Sequence, residues 1–174
     1  MDDPLLILDQ VVGCLDKWAL SVADISLASQ SENIVYRLTT TQSAKYALRV
    51  HRPGYHTFAE LVSEHEWTNA LIEAGFPLPN AIPTTDGELY VPANVDGGVR
   101  FAGLVEWLDG SSLQAMTAKD ENRELLYASL EQAGELMAKL HHHSRQWQPS
   151  ESFRRHKFDI DGFFGDAPFW GRYW

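Results

Sequence analysis

Arg49 stands between Leu48 and Val50 in a β-prone run, and Glu64 lies fifteen residues on in a helical pattern. A guanidinium planted in an apolar strand needs an anion, because a charge taken out of water must be paired. At about 100° per residue, Glu64 falls within roughly 60° of Leu61 and on the same side as Leu71, so its carboxylate turns inward, while Glu66 turns to water. Arg meets carboxylate and phosphate alike with paired hydrogen bonds. The loop Ser29-Gln30-Ser31-Glu32-Asn33 is rich in small polar residues. Ser29, Ser31 and Asn33 offer backbone and side-chain donors to phosphate oxygens. These residues suit phosphate anchoring, with a strand cation held in place by a helix carboxylate. A structural ion pair between Arg49 and Glu64, with no ligand, accounts for the same two residues.

The elements that must position them read clearly. Asp24 to Ala28 is a first strand. Asn33 to Thr40 alternates Ile34, Tyr36 and Leu38 against Val35, Arg37 and Thr39, the period of a strand. Gln42 to Lys45 forms a polar turn, and Tyr46 to Val50 returns as the partner strand. Thr57 with Glu60 three residues later has the form of a capping box, so a helix runs from Thr57 to about Ala74, ending at Gly75. A leading helix, residues 3–20, is opened by Asp3-Pro4 and carries Leu5, Val12, Leu15 and Trp18 at near-helical spacing. Ala81 to Thr84 and Leu89 to Val91 read as short strands around an Asp86-Gly87 hairpin turn, with a further turn at Val95 to Gly98. Phe101 to Trp107 is an apolar strand. The whole predicts a five-stranded antiparallel sheet flanked by one helix. Leu126, Leu130, Ala133, Met137 and Leu140 then mark a long helix from Thr117 to about His142. Residues 153–174 are aromatic and Gly-rich, with no long periodic element.

The run ENIVYRL…YALRVHRPGY, followed by SEHEW, resembles the amino-terminal lobe of the aminoglycoside phosphotransferase and choline kinase-like superfamily. The resemblance extends over essentially the whole chain. It implies an α+β, protein-kinase-like small lobe, an antiparallel sheet plus a helix, over residues 1–107, with its nucleotide-binding sheet over 24–107. Residues 108–174 would be the hinge and the first helical part of an incomplete large lobe. It implies ATP as cofactor with Mg2+, and transfer of the γ-phosphoryl group to a hydroxyl of a small substrate. In that resemblance Glu64 matches the helix glutamate of the family, and Arg49 stands where many kinases have Lys. Backbone groups of Glu106, Trp107 and Leu108 would take adenine. A core strand ending in a loop is an equal reading of those last three residues.

Phosphoryl transfer also needs an orienting carboxylate and metal ligands. The family draws them from a His-Gly-Asp loop and a later Asp, and no His-Gly-Asp occurs here. Asp161-Gly162-Phe163 has the wrong order for a kinase metal loop. No catalytic residue and no metal ligand is therefore assigned within these residues, and the chain is expected to be the front part of a kinase. A non-catalytic nucleotide-binding or protein-interaction module is the alternative. Three consecutive histidines, His141 to His143, cannot converge on one ion, since neighbours on a helix point about 100° apart.

Composition narrows the partners. The net charge of −10, from 24 acidic and 14 basic residues, argues against nucleic acid, whose backbone needs clustered cations. One cysteine, Cys14, rules out an internal disulfide framework. The acidic start MDDPLLILDQ is neither a signal peptide nor a membrane span, so the cytoplasm is the expected compartment.

Overall fold

The computed structural model describes residues 3–113, 115, 123–169 and 171. Helix α1 (Pro4–Val11) is capped by the Asp3 side chain, which accepts from the Leu5 amide, and carries Pro4 in its first turn. The predicted single helix over 3–20 instead tightens after Val11 into a 3₁₀ stretch, Val12–Trp18, closed by Ala19 in the left-handed region. Leu15 and Trp18 are nonetheless buried in the same cluster as Ile7 and Val11. Cys14 is half-buried among them, and burial raises its thiol pKa.

Six strands follow: β1 (Val22–Gln30), β2 (Ile34–Thr40), β3 (Lys45–Val50), β4 (Ala81–Ile82), β5 (Tyr90–Val95) and β6 (Gly98–Glu106). Every pairing is antiparallel, in the order β1-β2-β3-β6, with β4 and β5 both on the far edge of β6. Ala81 and Ile82 pair with Val105 and Leu104, and Tyr90 to Val95 continue from Gly103 down to Gly98. β4 and β5 are thus two pieces of one edge running in the same direction, so six strands fill the five expected positions. The Asp86-Gly87 hairpin is corrected accordingly. That turn, closed by Thr84 and Glu88, tips an excursion from the edge rather than joining two paired strands. The true hairpin turns at Asp96-Gly97, where φ values of 50° and 77° suit the tight mirror-image turn between β5 and β6.

One face of the sheet packs on α1 and the 3₁₀ stretch. Ile34, Tyr36 and Leu38 from β2, Leu48 and Val50 from β3, Val91, Ala93 and Val95 from β5, and Ala102 and Leu104 from β6 meet Ile7, Val11, Leu15 and Trp18. Polar contacts fix the angle. The Trp18 indole N–H donates to the Ile82 carbonyl at 2.7 Å, and the Gln10 amide group both donates to and accepts from Asp96. Alternation then sends Val35, Arg37, Ala47, Arg49, Gly103 and Tyr90 to the opposite face.

Helix α2 (Phe58–Glu73) has the full capping box: the Thr57 hydroxyl accepts from the Glu60 amide and the Glu60 carboxylate accepts from the Thr57 amide. It meets the sheet through Phe58 against Phe101 and Tyr90, and through the Tyr90 hydroxyl donating to the Leu61 carbonyl at 3.2 Å. Helix α3 is described over Arg123–Gln146, and the expected start over 117–122 lies outside the described residues. It buries no side chain, and Leu130 and Met137 of its apolar stripe are exposed. Helix α4 (Ile160–Phe164) is a single short turn capped by Asp159, and it places Asp161-Gly162-Phe163 inside a helix. No helix among the described residues is long and apolar enough to cross a membrane.

Trp18 both fills the core and anchors the edge strand. Trp18→Ala should therefore lower stability by about 3–5 kcal/mol, as large aromatic truncations in cores do, measured by urea unfolding.

Candidate phosphate-anchoring site

A single cross-strand row carries the site. Ser29 pairs with Val35, Val35 with Arg49, Arg49 with Gly103, and Gly103 with Tyr90. Directly opposed residues share a face, so Ser29, Arg49 and Tyr90 all project from the side away from α1. A register shift between Leu27 and Ser29 brings Ser29 into that row. Gly103 is required by crowding: a Cβ there would stand 2.9 Å from the Tyr90 ring, the wall behind Arg49.

Arg49 NH1 donates to Glu64 Oε1 at 3.2 Å, and both side chains are half-buried. The inward turn of Glu64 and the mid-strand placement of Arg49 thus meet as their periodicities require. Asn33 joins them. With its amide set so that Nδ2 donates to the Glu32 carbonyl, its Oδ1 accepts from Arg49 NH2 at 3.3 Å. Ser31 is placed differently. Its amide donates to the Asn33 carbonyl at 3.0 Å, which removes that donor from the expected phosphate set. Ser31 also borders a hollow of about 610 Å³ with Arg52 and Arg100, beside Ile34 and Val50 and hence on the α1 face. Glu32 pairs with Arg52 at 2.9 Å.

The three expected adenine residues lie at the other end of β6. The Glu106 amide donates to the Asn80 carbonyl at 2.9 Å, and its carboxylate accepts from the Asn80 amide and side chain. The Trp107 amide donates to the Lys45 carbonyl at 3.3 Å. These two N–H groups already serve the sheet. The Trp107 ring lies 5.8 Å beneath the Arg37 guanidinium, on the Arg49 face, and Leu108 follows exposed. Asp109 pairs with Lys45 at 3.0 Å, and that pairing holds its carboxyl below the usual range.

Sequence reasoning missed the segment that covers α2. Residues 150–156 run back along the helix. The Ser150 amide and hydroxyl donate to Glu66 at 2.7 and 2.8 Å, and the Arg154 amide donates to the Ser63 hydroxyl at 2.8 Å. Arg155 NH1 donates to Glu64 Oε2 at 3.3 Å, and His156 Nε2 meets Glu60 Oε1 at 2.8 Å. Glu66, expected to face water, is therefore bridged, and Glu60 is buried because the strap closes over it. Glu64 stands between two guanidiniums, leaving one net positive charge beside Asn33. The only sequence signal was the basic cluster Arg154-Arg155-His156-Lys157 in an acidic chain.

An antiparallel sheet with a strand cation held by the carboxylate of a flanking helix is the small lobe of the protein-kinase-like fold. A family model described as "Phosphotransferase enzyme family" matches residues 25–167, and the chain belongs to that family. Among solved structures, a microcompartment-associated aminopropanol kinase is similar at 26% identity and a TM-score of 0.76, over 97% of this chain and 49% of that one. An amicoumacin kinase, solved in complex with AMP-PNP, Ca2+ and Ami, shares the fold at 15% identity and a TM-score of 0.64, over 91% of this chain and 45% of that one. The chain thus spans about half the length of the solved structures it matches. No curated protein matches the chain significantly.

Two outcomes follow from the site. Arg155→Ala should cost about 1–2 kcal/mol through its lost charged hydrogen bond. Glu64→Ala should cost more, because it leaves two half-buried cations face to face. Denaturant unfolding of both variants checks this, and a neutral Arg155→Ala would remove the strap as a support of Glu64. The second concerns His51, which is buried with neither ring nitrogen hydrogen-bonded. Burial, then the Arg49 charge, lowers its pKa to about 4 from 6.5. Between those values the unfolded chain binds a proton that the folded chain does not, so stability falls as pH drops from about 6.5 to 4. Burial lowers His56 and His65 in the same sense. His51→Leu should flatten this acid-side slope in unfolding curves recorded across that window.

Proposed function

We propose that these residues form the nucleotide-anchoring part of an ATP-dependent small-molecule kinase, which transfers the γ-phosphoryl group of ATP to a hydroxyl of a small substrate. The observation that carries the reading is Arg49 held at 3.2 Å by Glu64 and at 3.3 Å by Asn33, on the sheet face reached from the β1–β2 loop. The family match and the two kinase neighbours support it.

In this reading Arg49 takes the phosphates, with Glu64 keeping its guanidinium in place and Arg155 keeping Glu64 in place. Ser29 lies in the same row, two strand spacings or about 10 Å away, and Ser29 and Asn33 supply polar contacts at the loop end. Val35, Ala47 and Val105 form an apolar roof between that end and Trp107. Adenine would rest there, with the backbone at Glu106, Trp107 and Leu108 along its edge. Because the Glu106 and Trp107 amides are already engaged, the adenine contacts fall to carbonyls and to Leu108. Mg2+ would neutralise charge on the phosphates and help orient them. Its ligands and the carboxylate that orients the acceptor hydroxyl are proposed to come from sequence outside these 174 residues. One of the two neighbours is an aminopropanol kinase and the other an amicoumacin kinase. A small hydroxyl-bearing amine is the substrate class these two favour.

Calorimetry with ATP tests the reading. The chain should bind weakly, and Arg49→Ala should bind roughly tenfold or more weakly still, the worth of one charge-assisted contact. Equal binding by both would return Arg49 to a structural ion pair.

A further inference from the structure

The strap and the start of α2 bring together three side chains that no phosphate-anchoring role uses. His56 precedes the helix cap, Glu60 lies one turn on, and His156 arrives from the strap. Their nearest donor atoms, two imidazole nitrogens and one carboxylate oxygen, all lie within 4.8 Å of one another. We propose that His56 Nδ1, Glu60 Oε1 and His156 Nε2 form a binding site for a zinc-class divalent ion, which clamps residues 150–156 to the first turn of α2.

The chemistry of the donors selects the ion. Two imidazoles and one carboxylate suit Zn2+ and its neighbours such as Co2+, whereas Mg2+ prefers oxygen ligands and water. An ion about 2.1 Å from each donor would hold tetrahedral ligands about 3.4 Å apart. The present spacings bracket that value: His156 Nε2 stands 2.8 Å from Glu60 Oε1, and the three ligand atoms all lie within 4.8 Å of one another. Side-chain rotations close the remainder, and a water completes the fourth position.

The surroundings are built for ligation. His56 Nδ1 is buried and has no hydrogen-bond partner, an orphan that an ion would satisfy. Glu60 divides its oxygens. Oε2 accepts from the Thr57 amide and hydroxyl at 2.8 and 3.0 Å, which fixes the carboxylate, while Oε1 faces His156. Such outer contacts orient ligands and raise affinity. The Phe169 ring lies 3.7 Å from the His156 ring and 5.9 Å from that of His56, holding both imidazoles against an apolar wall. Side-chain exposure runs from 9% at Glu60 and 14% at His56 to 36% at His156, so an ion enters from the His156 side. His156 now meets Glu60 through Nε2. Ligation moves its remaining proton to Nδ1 and frees the Nε2 lone pair for the metal. The Arg155 guanidinium beside the cluster is turned onto Glu64.

The test is Zn2+ uptake by the untagged, metal-stripped chain, followed by calorimetry and by elemental analysis after gel filtration. Co2+ absorption in the visible range reports coordination directly. One ion per chain is expected, with a raised melting temperature. Each of His56→Gln, His156→Gln and Glu60→Gln should lower affinity at least about tenfold, the smallest loss typical of disturbing even outer contacts of a metal. Glu60→Gln is the critical variant, because Gln also completes a capping box. It therefore removes the anionic ligand while leaving the helix start intact. The paired change His141→Gln with His142→Gln should leave uptake unaltered. No uptake, uptake indifferent to the three ligand variants, or uptake lost in the His141/His142 control would each overturn the proposal.

Discussion

The Glu64 carboxylate is the constraint on which the arrangement turns. It lies on the inward side of α2, where a charge is tolerable only if paired. Two pairings meet it: Arg49 from the sheet at 3.2 Å and Arg155 from the strap at 3.3 Å. This one group therefore ties together three segments remote in sequence. It also explains features that look unrelated. Gly103 leaves room for Tyr90 beside Arg49, and the Tyr90 hydroxyl holds the α2 backbone at Leu61. The helix cannot slide without breaking contacts on both its flanks.

Electrostatics at the site are local. The chain carries −10 overall, yet Arg49, Arg155 and Glu64 sum to one positive charge beside Asn33. At physiological ionic strength charges beyond about 8 Å are largely screened. The acidic surface then slows the approach of a polyanion more than it weakens the contact once made. A local positive charge of this kind does not depend on a basic net charge, although the absence of one does disfavour an extended nucleic-acid backbone.

What could be read from the residues alone was what depends on short range. The Ile34–Tyr36–Leu38 alternation, the Thr57/Glu60 box and the inward turn of Glu64 are each set within a few residues, and each appears as expected. The Arg49–Glu64 pair was legible because both periodicities point to one interface. The edge of the sheet was not, because Asp86-Gly87 carries a good turn whichever neighbour its flanks choose. Partner choice belongs to β6, which pairs with β4 and β5 in continuous register. Arg155 lay further out of reach. It is 91 residues from Glu64, and nothing in a short window names such a partner. The burial of Glu60 followed from the same missing strap. The engagement of the Ser31 amide was not legible for a different reason: composition identifies a polar loop but not which amide its turn consumes.

The two halves of the described structure are stabilised in different ways, and this bears on how the site is held. The α1 face of the sheet is a closed apolar core, complete within residues 7–104. On the α2 face Leu61, Leu71 and the Phe58 contacts supply a smaller apolar seam beside a set of polar contacts, and α3 buries no side chain among its described residues. Apolar burial fixes a sheet firmly but says little about the angle of a helix laid across its other side. Directional bonds do that. Glu60, Ser63, Glu64 and Glu66 each take a partner from residues 150–156, spread over two turns of one helix. Lifting the strap would break all four contacts together, leaving Glu64 to Arg49 alone and Glu60 to the Thr57 amide and hydroxyl. The helix glutamate and the strap are therefore a single cooperative unit, and the geometry around Arg49 depends on residues outside the sheet.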